Sequence, residues 1–210
     1  MNCLIVYAKR PVPCYAKTRL GAVIGMEEAA GVYARLLYSY LRDLQCAGWD
    51  DTHISLAVSA RADVSFFAAA FPEFDVCSQV TGDLGQRIAA SFARAFAGGA
   101  ERVVLTGSDI PLLTVALVQQ AFATLETVPA VIGPAEDGGY YLIGQRAPGA
   151  ALFDGIAWST SAVLAQTEAL ARAANIQLAH LPVLADLDTI EDYSVWQKQI
   201  QVSDNLPDVR

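Results

Sequence analysis

The chain has 210 residues, 54% of them hydrophobic, a net charge of -8 and a pI near 4.6. That acidity argues against a nucleic-acid binder, which needs a broad basic face. No apolar run approaches the roughly 20 residues of a membrane span, so no membrane partner is expected. The amino terminus has no charged n-region and its apolar run stops at Lys9, which reads as a cytoplasmic protein without a signal peptide. Cys3, Cys14, Cys46 and Cys77 show no CxxC spacing, so neither a disulfide framework nor a zinc site is expected.

Taken in order, strand-like runs at 3–8, 52–58, 74–77 and 102–107 alternate with helical patterns at about 27–46, 62–70, 84–97 and 114–126. Such alternation predicts a mostly parallel sheet covered on both faces. In the first helix Tyr33, Leu36, Leu37, Tyr40, Leu41 and Leu44 recur at the 3,4 spacing of a buried stripe, so these tyrosines read as core. After residue 129 the pattern changes. Strands at 130–133 and 140–144 follow each other without a helix between them, then come a helix at 160–173, a strand at 176–181 and a helix from about 189. One domain over 1–210 is expected, with a nucleotide-binding half over about 1–128 and an acceptor-side half over about 129–200.

The densest positive patch of this acidic chain lies in the loop after the first strand, where Lys9, Arg10, Lys17 and Arg19 accompany two prolines. Pro11 and Pro13 stiffen that loop, and strand-to-helix loops are where α/β proteins place phosphates. A solvated loop paired with local carboxylates is the competing account, although the next acidic residue in sequence is Glu27. A Walker A loop is excluded by the absence of GxxxxGK[ST], and a Ser-His-Asp system has no GxSxG elbow to support it. Asp109 stands at the carboxyl end of the 102–107 strand, facing the crevice where such sheets bind ligands. Thr114 is the better placed helix cap, which leaves Asp109 free to act as a Mg2+ or Mn2+ ligand. Asp186 and Asp188 alternate on an extended segment, and either could supply the second carboxylate, while Thr189 and Asp192 form a capping box.

Two Gly-containing segments add further candidates. In 133–144, Glu136 and Asp137 bring two acceptors beside Gly138 and Gly139, which suits recognition of sugar-like hydroxyls as well as a plain hairpin turn. In 81–87, Gly82 and Gly85 would let a base approach the backbone, with Asp83 as the cap and Arg87 nearby. Trp158, Ser159 and Thr160 stand at the start of the 160–173 helix, a position that binds an anion or merely caps.

In combination these segments resemble a glycosyltransferase-like bacterial family, formerly a domain of unknown function and often described as transferases associated with radical-SAM proteins. The family pattern K-x-P-x-P-G-x-x-K-T-R-L is matched by Lys9 to Leu20, G-x-D-x-P-x-L by Gly107 to Leu113, and G-P-A-x-D-G-G-Y-x-L-I-G by Gly133 to Gly144. W-S-T is matched by Trp158 to Thr160 and D-x-D-T-P-E-D by Asp186 to Asp192. The chain departs at Cys14, where the pattern has Gly, and at Ile190, where it has Pro. The basic loop is also similar to that of 2-phospholactate guanylyltransferase. The resemblance implies an α/β fold, the GT-A-like three-layer α/β/α sandwich of nucleotide-diphospho-sugar transferases with a mostly parallel mixed sheet. It also implies Asp109 and Asp188 as the metal-holding pair.

The resulting expectation is a transferase dependent on a divalent metal, Mg2+ or Mn2+, that binds a nucleoside di- or triphosphate or a nucleotide sugar and serves a small acceptor. Lys9, Arg10, Lys17, Thr18 and Arg19 would hold phosphates, with Gly82, Asp83, Gly85 and Arg87 beside the base. Lys17, Arg19 and Asp109 would be catalytic, and Glu136, Asp137, Gly138, Gly139, Trp158, Ser159 and Thr160 would line the acceptor pocket. Nucleotidyl transfer is slightly favoured by the cations available to a departing pyrophosphate. Glycosyl transfer and a catalytically silent binding module are the alternatives.

Overall fold

The computed structural model describes residues 1–149 and 151–204. Seven strands form one sheet: β1 (Asn2–Ala8), β2 (Thr52–Val58), β3 (Asp75–Ser78), β4 (Arg102–Thr106), β5 (Ala130–Pro134), β6 (Tyr140–Gln145) and β7 (Leu178–His180). Their order is β3-β2-β1-β4-β6-β5-β7, and every neighbouring pair is parallel except those made by β6. The helices are α1 (Thr18–Ile24), α2 (Met26–Cys46), α3 (Val64–Ala70), α4 (Leu84–Ala97), α5 (Val115–Thr124), α6 (Val163–Ala173) and α7 (Ile190–Asp204). Among the described residues no helix is long and apolar enough to cross a membrane.

Alternate residues of the strands feed two cores, because successive side chains point to opposite faces. Leu4, Val6, Leu56 and Val104 pack on one face with Leu37 and Leu41 of α2, Phe67 of α3 and Phe122 of α5. Cys3, Ile5, Val103 and Leu105 pack on the other with Ile88 and Phe92 of α4 and Ala171 of α6. Helices thus cover both faces, as the alternating sequence predicts. The α2 stripe is buried over its whole length from Tyr33 to Leu44.

Side-chain caps start helices α4 and α5. The Asp83 side chain accepts from Gln86 N and the Gln86 side chain accepts from Asp83 N, a reciprocal capping box that starts α4. Thr114 Oγ1 accepts from Leu117 N and starts α5. Helix α1 is the element that the sequence conceals, since it is one short stretch within the basic loop and its N-cap, Lys17, supplies no side-chain cap.

The chain runs outward from β1 to β2 and β3, then returns to place β4 on the other side of β1. The crevice at the carboxyl ends of β1 and β4 is therefore the reversal point of the strand order, where open α/β sheets bind ligands. The basic loop leaves β1 there, and the segment carrying Asp109 leaves β4 beside it.

Candidate functional site

Asp109 and Asp188 are far apart in sequence but converge on one cation. Lys17 Nζ donates to Asp109 Oδ2 at 3.0 Å and to Asp188 Oδ1 at 2.7 Å. The lysine side chain is only 3% exposed, whereas the aspartate side chains keep 46% and 39% of their surface open. The cation is thus enclosed and the anions face the crevice. Burial disfavours the ammonium, but the two carboxylates outweigh it and hold the Lys17 pKa above its ordinary value. Burial likewise opposes ionisation of Asp109, and Lys17, aided by Lys9, overrides it and keeps that carboxyl below the usual range.

The backbone bends sharply to make this contact. Lys17 sits at φ 50°, ψ 46° and Cys14 at φ 63°, both left-handed conformations that ordinarily cost about 1–2 kcal/mol outside glycine. At Cys14 the related pattern carries glycine, and the left-handed backbone supplies the physical reason for that preference.

A hydrogen-bond chain ties the two loops together behind this cluster. Lys9 N donates to the Tyr33 hydroxyl at 3.0 Å, Tyr33 lies 2.8 Å from Ser108 Oγ, and Ser108 donates to the Tyr7 carbonyl at 2.8 Å. Burial pushes the Tyr33 phenol up to about 12, so it stays neutral and can serve both neighbours. Sequence periodicity places Tyr33 in the core but not its hydroxyl, because the partners come from two other elements. Tyr33→Phe should leave the fold intact and cost about 1 kcal/mol. Thermal denaturation would read this as a fall of roughly 2–4 °C for a chain of this size.

The other basic-loop residues separate. Arg19 and Thr18 are exposed at the start of α1, and Lys9 is exposed with its charge acting on Asp109. Arg10 instead lies over the Phe66 ring, 4.5 Å from its centroid, and 4.0 Å from Asp63. In the 81–87 segment Gly82 and Asp83 are exposed. Arg87 donates to Gln79 Oε1 at 3.0 Å, and Gln79 is anchored on the Ala57 carbonyl. Gly85 is buried, and an added Cβ would lie 2.6 Å from the Trp158 indole nitrogen, so this glycine faces the indole rather than open space.

The acceptor-side motifs do meet. Asp137 Oδ1 accepts from Gly139 N at 2.7 Å, closing the turn between β5 and β6. Gly138 abuts Ser161, and its carbonyl accepts from Leu164 N at 2.8 Å, which joins the turn to the start of α6. Trp158 packs edge-on against Tyr140, Ser159 adopts φ 63°, and Thr160 donates to the Ala157 carbonyl. Glu136 N donates to Leu184 O, and the 184–188 segment runs beside the end of β5. That placement brings Asp186 close to Asp137, Asp109 and Asp188. Burial, then these neighbouring carboxylates, push its carboxyl up to about 7. Asp186 Oδ1 is buried without a hydrogen-bond partner.

This donor set fits a hard divalent cation. Two carboxylates from separate segments already converge on one cationic atom, and a buried carboxylate oxygen beside them lacks a partner. Among the described residues no group of three or more His, Cys, Asp or Glu is arranged to hold a metal with protein atoms alone. Phosphate oxygens of a substrate would have to complete the shell, the usual habit of Mg2+ sites.

Residues 41–160 match the profile of a family described as an uncharacterized protein conserved in bacteria (DUF2064). A protein of Desulfovibrio desulfuricans G20 assigned to the nucleotide-diphospho-sugar transferases is 36% identical, with a TM-score of 0.89 over 96% of this chain and 88% of that one. The chain belongs to this family. Two more distant structures share its fold. The manganese complex of Rv0371C from Mycobacterium tuberculosis H37Rv is 18% identical with a TM-score of 0.55, over 94% and 97% of the two chains. The 4-diphosphocytidyl-2C-methyl-D-erythritol synthase of Anaerococcus prevotii DSM 20548 is 12% identical with a TM-score of 0.63, over 96% of each chain. No curated protein matches. Family and fold together make the chain a transferase of the nucleotide-diphospho-sugar class.

Proposed function

We propose that the chain is a metal-dependent transferase that binds a nucleoside triphosphate or a nucleotide sugar across the β1–β4 crevice and passes a nucleotidyl or glycosyl group to a small acceptor. The convergence of Asp109 and Asp188 on one cationic position carries this reading. Both carboxylates would hold Mg2+ or Mn2+, which supplies charge neutralisation for the bound phosphates. Lys17, released from the carboxylates, would hold the departing phosphate together with Lys9 and Arg19. Gly82 and Arg87 would lie beside the base, and Glu136 with the 158–160 segment would border the acceptor. The acceptor atom forms the new bond and the bond to the leaving phosphate oxygen breaks with its electron pair. The acceptor's proton is released to solvent. No covalent enzyme intermediate is needed, because positioning and charge stabilisation suffice.

The cations on the leaving-group side favour nucleotidyl transfer, and the carboxylates near the turn between β5 and β6 favour glycosyl transfer. Release of pyrophosphate from a nucleoside triphosphate identifies the first, and release of a nucleoside diphosphate from a nucleotide sugar the second. Calorimetric titration with nucleotides tests the site itself. Binding should tighten at least about tenfold when Mn2+ replaces EDTA, and Asp109→Asn should erase that increment. Equal metal dependence in the variant and the natural protein would overturn the assignment.

A further inference from the structure

A cavity of about 320 Å³ opens beside the carboxylate cluster, between the segment after β4, the turn between β5 and β6, the 183–186 segment and α7. One part of its wall is apolar. Leu112, Val183 and Val195 are 50%, 59% and 56% exposed, unusual for side chains of this kind, and Trp196 lies next to them. The other part is lined by the carboxyl groups of Glu136, Asp186 and Asp192, and among the described residues no Lys, Arg or His lines the cavity. Asp192 Oδ2 accepts from the Asp188 and Thr189 backbone amides at 3.0 and 2.7 Å, which fixes this carboxylate in the wall. Asp186 is different, since its Oδ1 is buried with no partner. A small-molecule site is ordinarily mostly apolar with a few convergent polar groups, and this cavity has that make-up.

We propose that this cavity is the acceptor subsite and that it takes an uncharged or cationic acceptor with an apolar body, not a phosphorylated one. The inference rests on the transferase reading above, and it names the acceptor class. An acceptor hydroxyl or amine donates to the carboxylates that line the cavity, Glu136 and Asp186. The apolar body covers Leu112, Val183, Val195 and Trp196, which removes exposed hydrocarbon from water. A phosphate in the cavity would face Glu136 and Asp192 with no cationic side chain in the described lining to neutralise it. The phosphate-binding cations and the acceptor cavity thus divide the work by charge. A consequence follows for the product. An unphosphorylated acceptor cannot form a new pyrophosphate link, so glycosyl transfer yields a glycoside, and nucleotidyl transfer yields a phosphodiester or phosphoramidate.

The test uses the full chain and two probes that differ by one phosphoryl group, phenyl β-D-glucoside and its 6-phosphate. Calorimetry should give a Kd at least about tenfold lower for the neutral probe. Val195→Lys, at an exposed rim position, should narrow or invert that ratio by tightening the phosphorylated probe. Equal or tighter binding of the phosphorylated probe to the natural protein, binding of neither probe, or an unchanged ratio in Val195→Lys would each overturn the proposal. Nucleotide titration with Mn2+ is run in parallel. Loss of nucleotide binding alone sinks the transferase reading while leaving a cavity selective for neutral ligands. Nucleotide binding without the probe preference sinks the acceptor inference alone.

Discussion

Lys17→Met should lower the melting temperature of the metal-free protein, and a divalent cation should restore most of the loss. The substitution keeps the length and apolar stem of the side chain and leaves the left-handed backbone at this position unchanged, so the ammonium is the main variable. Its removal leaves Asp109 and Asp188 facing one another with no cation between them. Breaking a fully buried ion pair costs about 3–5 kcal/mol, and an exposed pair is worth at most about 1 kcal/mol. Here the lysine is enclosed but both carboxylates are more than a third exposed, so water offsets much of the repulsion. A loss of about 1–2 kcal/mol is expected, read as roughly 3–6 °C. The sign with pH is fixed by Asp109, whose carboxyl is held below its ordinary value. The advantage of the natural protein is present above the usual carboxylate range and disappears as acid protonates Asp109. Because Lys17 and a metal address the same two carboxylates, Mn2+ should raise the melting temperature of Lys17→Met more than that of the natural protein. Turnover should nevertheless fall by about 10²–10³, since a preorganised donor to developing negative charge is lost. Equal thermal responses of the two proteins to Mn2+ would show that lysine and metal do not share the position.

The contrast between Lys17 and its neighbours shows what the sequence can and cannot reveal. Alternating strands and helices, the α2 stripe and the caps at Asp83 and Thr114 are local patterns with local causes, and they appear in the structure close to the positions that periodicity assigns. The position of Asp109 at a strand end is legible for the same reason. The pairing of Lys17 with Asp109 and Asp188 is not, because the three residues are separated by 92 and 171 positions and meet only through the strand order. Charge density alone cannot tell Lys17 from Arg10, yet one is enclosed between aspartates and the other lies on Phe66. The glycines of the 81–87 and 133–144 segments are ambiguous in a different way. Small size serves close approach by a ligand and by the protein's own chain equally well. At Gly85 the occupant is Trp158, supplied from more than 70 residues away.

Gly138→Ala should be among the most destabilising single substitutions in the chain, and its comparison with Gly139→Ala isolates the cause. Gly138 has φ 87°, where an L side chain is strained by about 1–2 kcal/mol. Its Cβ would also lie 2.8 Å from the Ser161 carbonyl carbon and 2.9 Å from Ser161 Cα. Those are backbone atoms, so relief requires separating the turn between β5 and β6 from the segment before α6, not rotating a side chain. Separation would in turn lengthen the 2.8 Å bond from Leu164 N to the Gly138 carbonyl and leave the first turn of α6 short of an acceptor. Overpacking of this kind adds about 1–3 kcal/mol, for a total near 3–4 kcal/mol and a fall on the order of 10 °C. Gly139 is a different case. Its φ is not in the left-handed region, and its Cβ would meet Asp137 Oδ1 at 3.0 Å, a side-chain atom able to turn away. Gly139→Ala should therefore cost about 1 kcal/mol, mainly through the weakened bond between Asp137 and the Gly139 amide. The larger change also reaches the crevice, because the turn that carries Gly138 holds Glu136 against Leu184 and so sets the path of Asp186 and Asp188. Gly138→Ala should weaken metal-dependent nucleotide binding as well as stability, while Gly139→Ala leaves binding near the natural value. Equal effects of the two substitutions on melting would mean that the tight contact with Ser161 does not hold the turn in place.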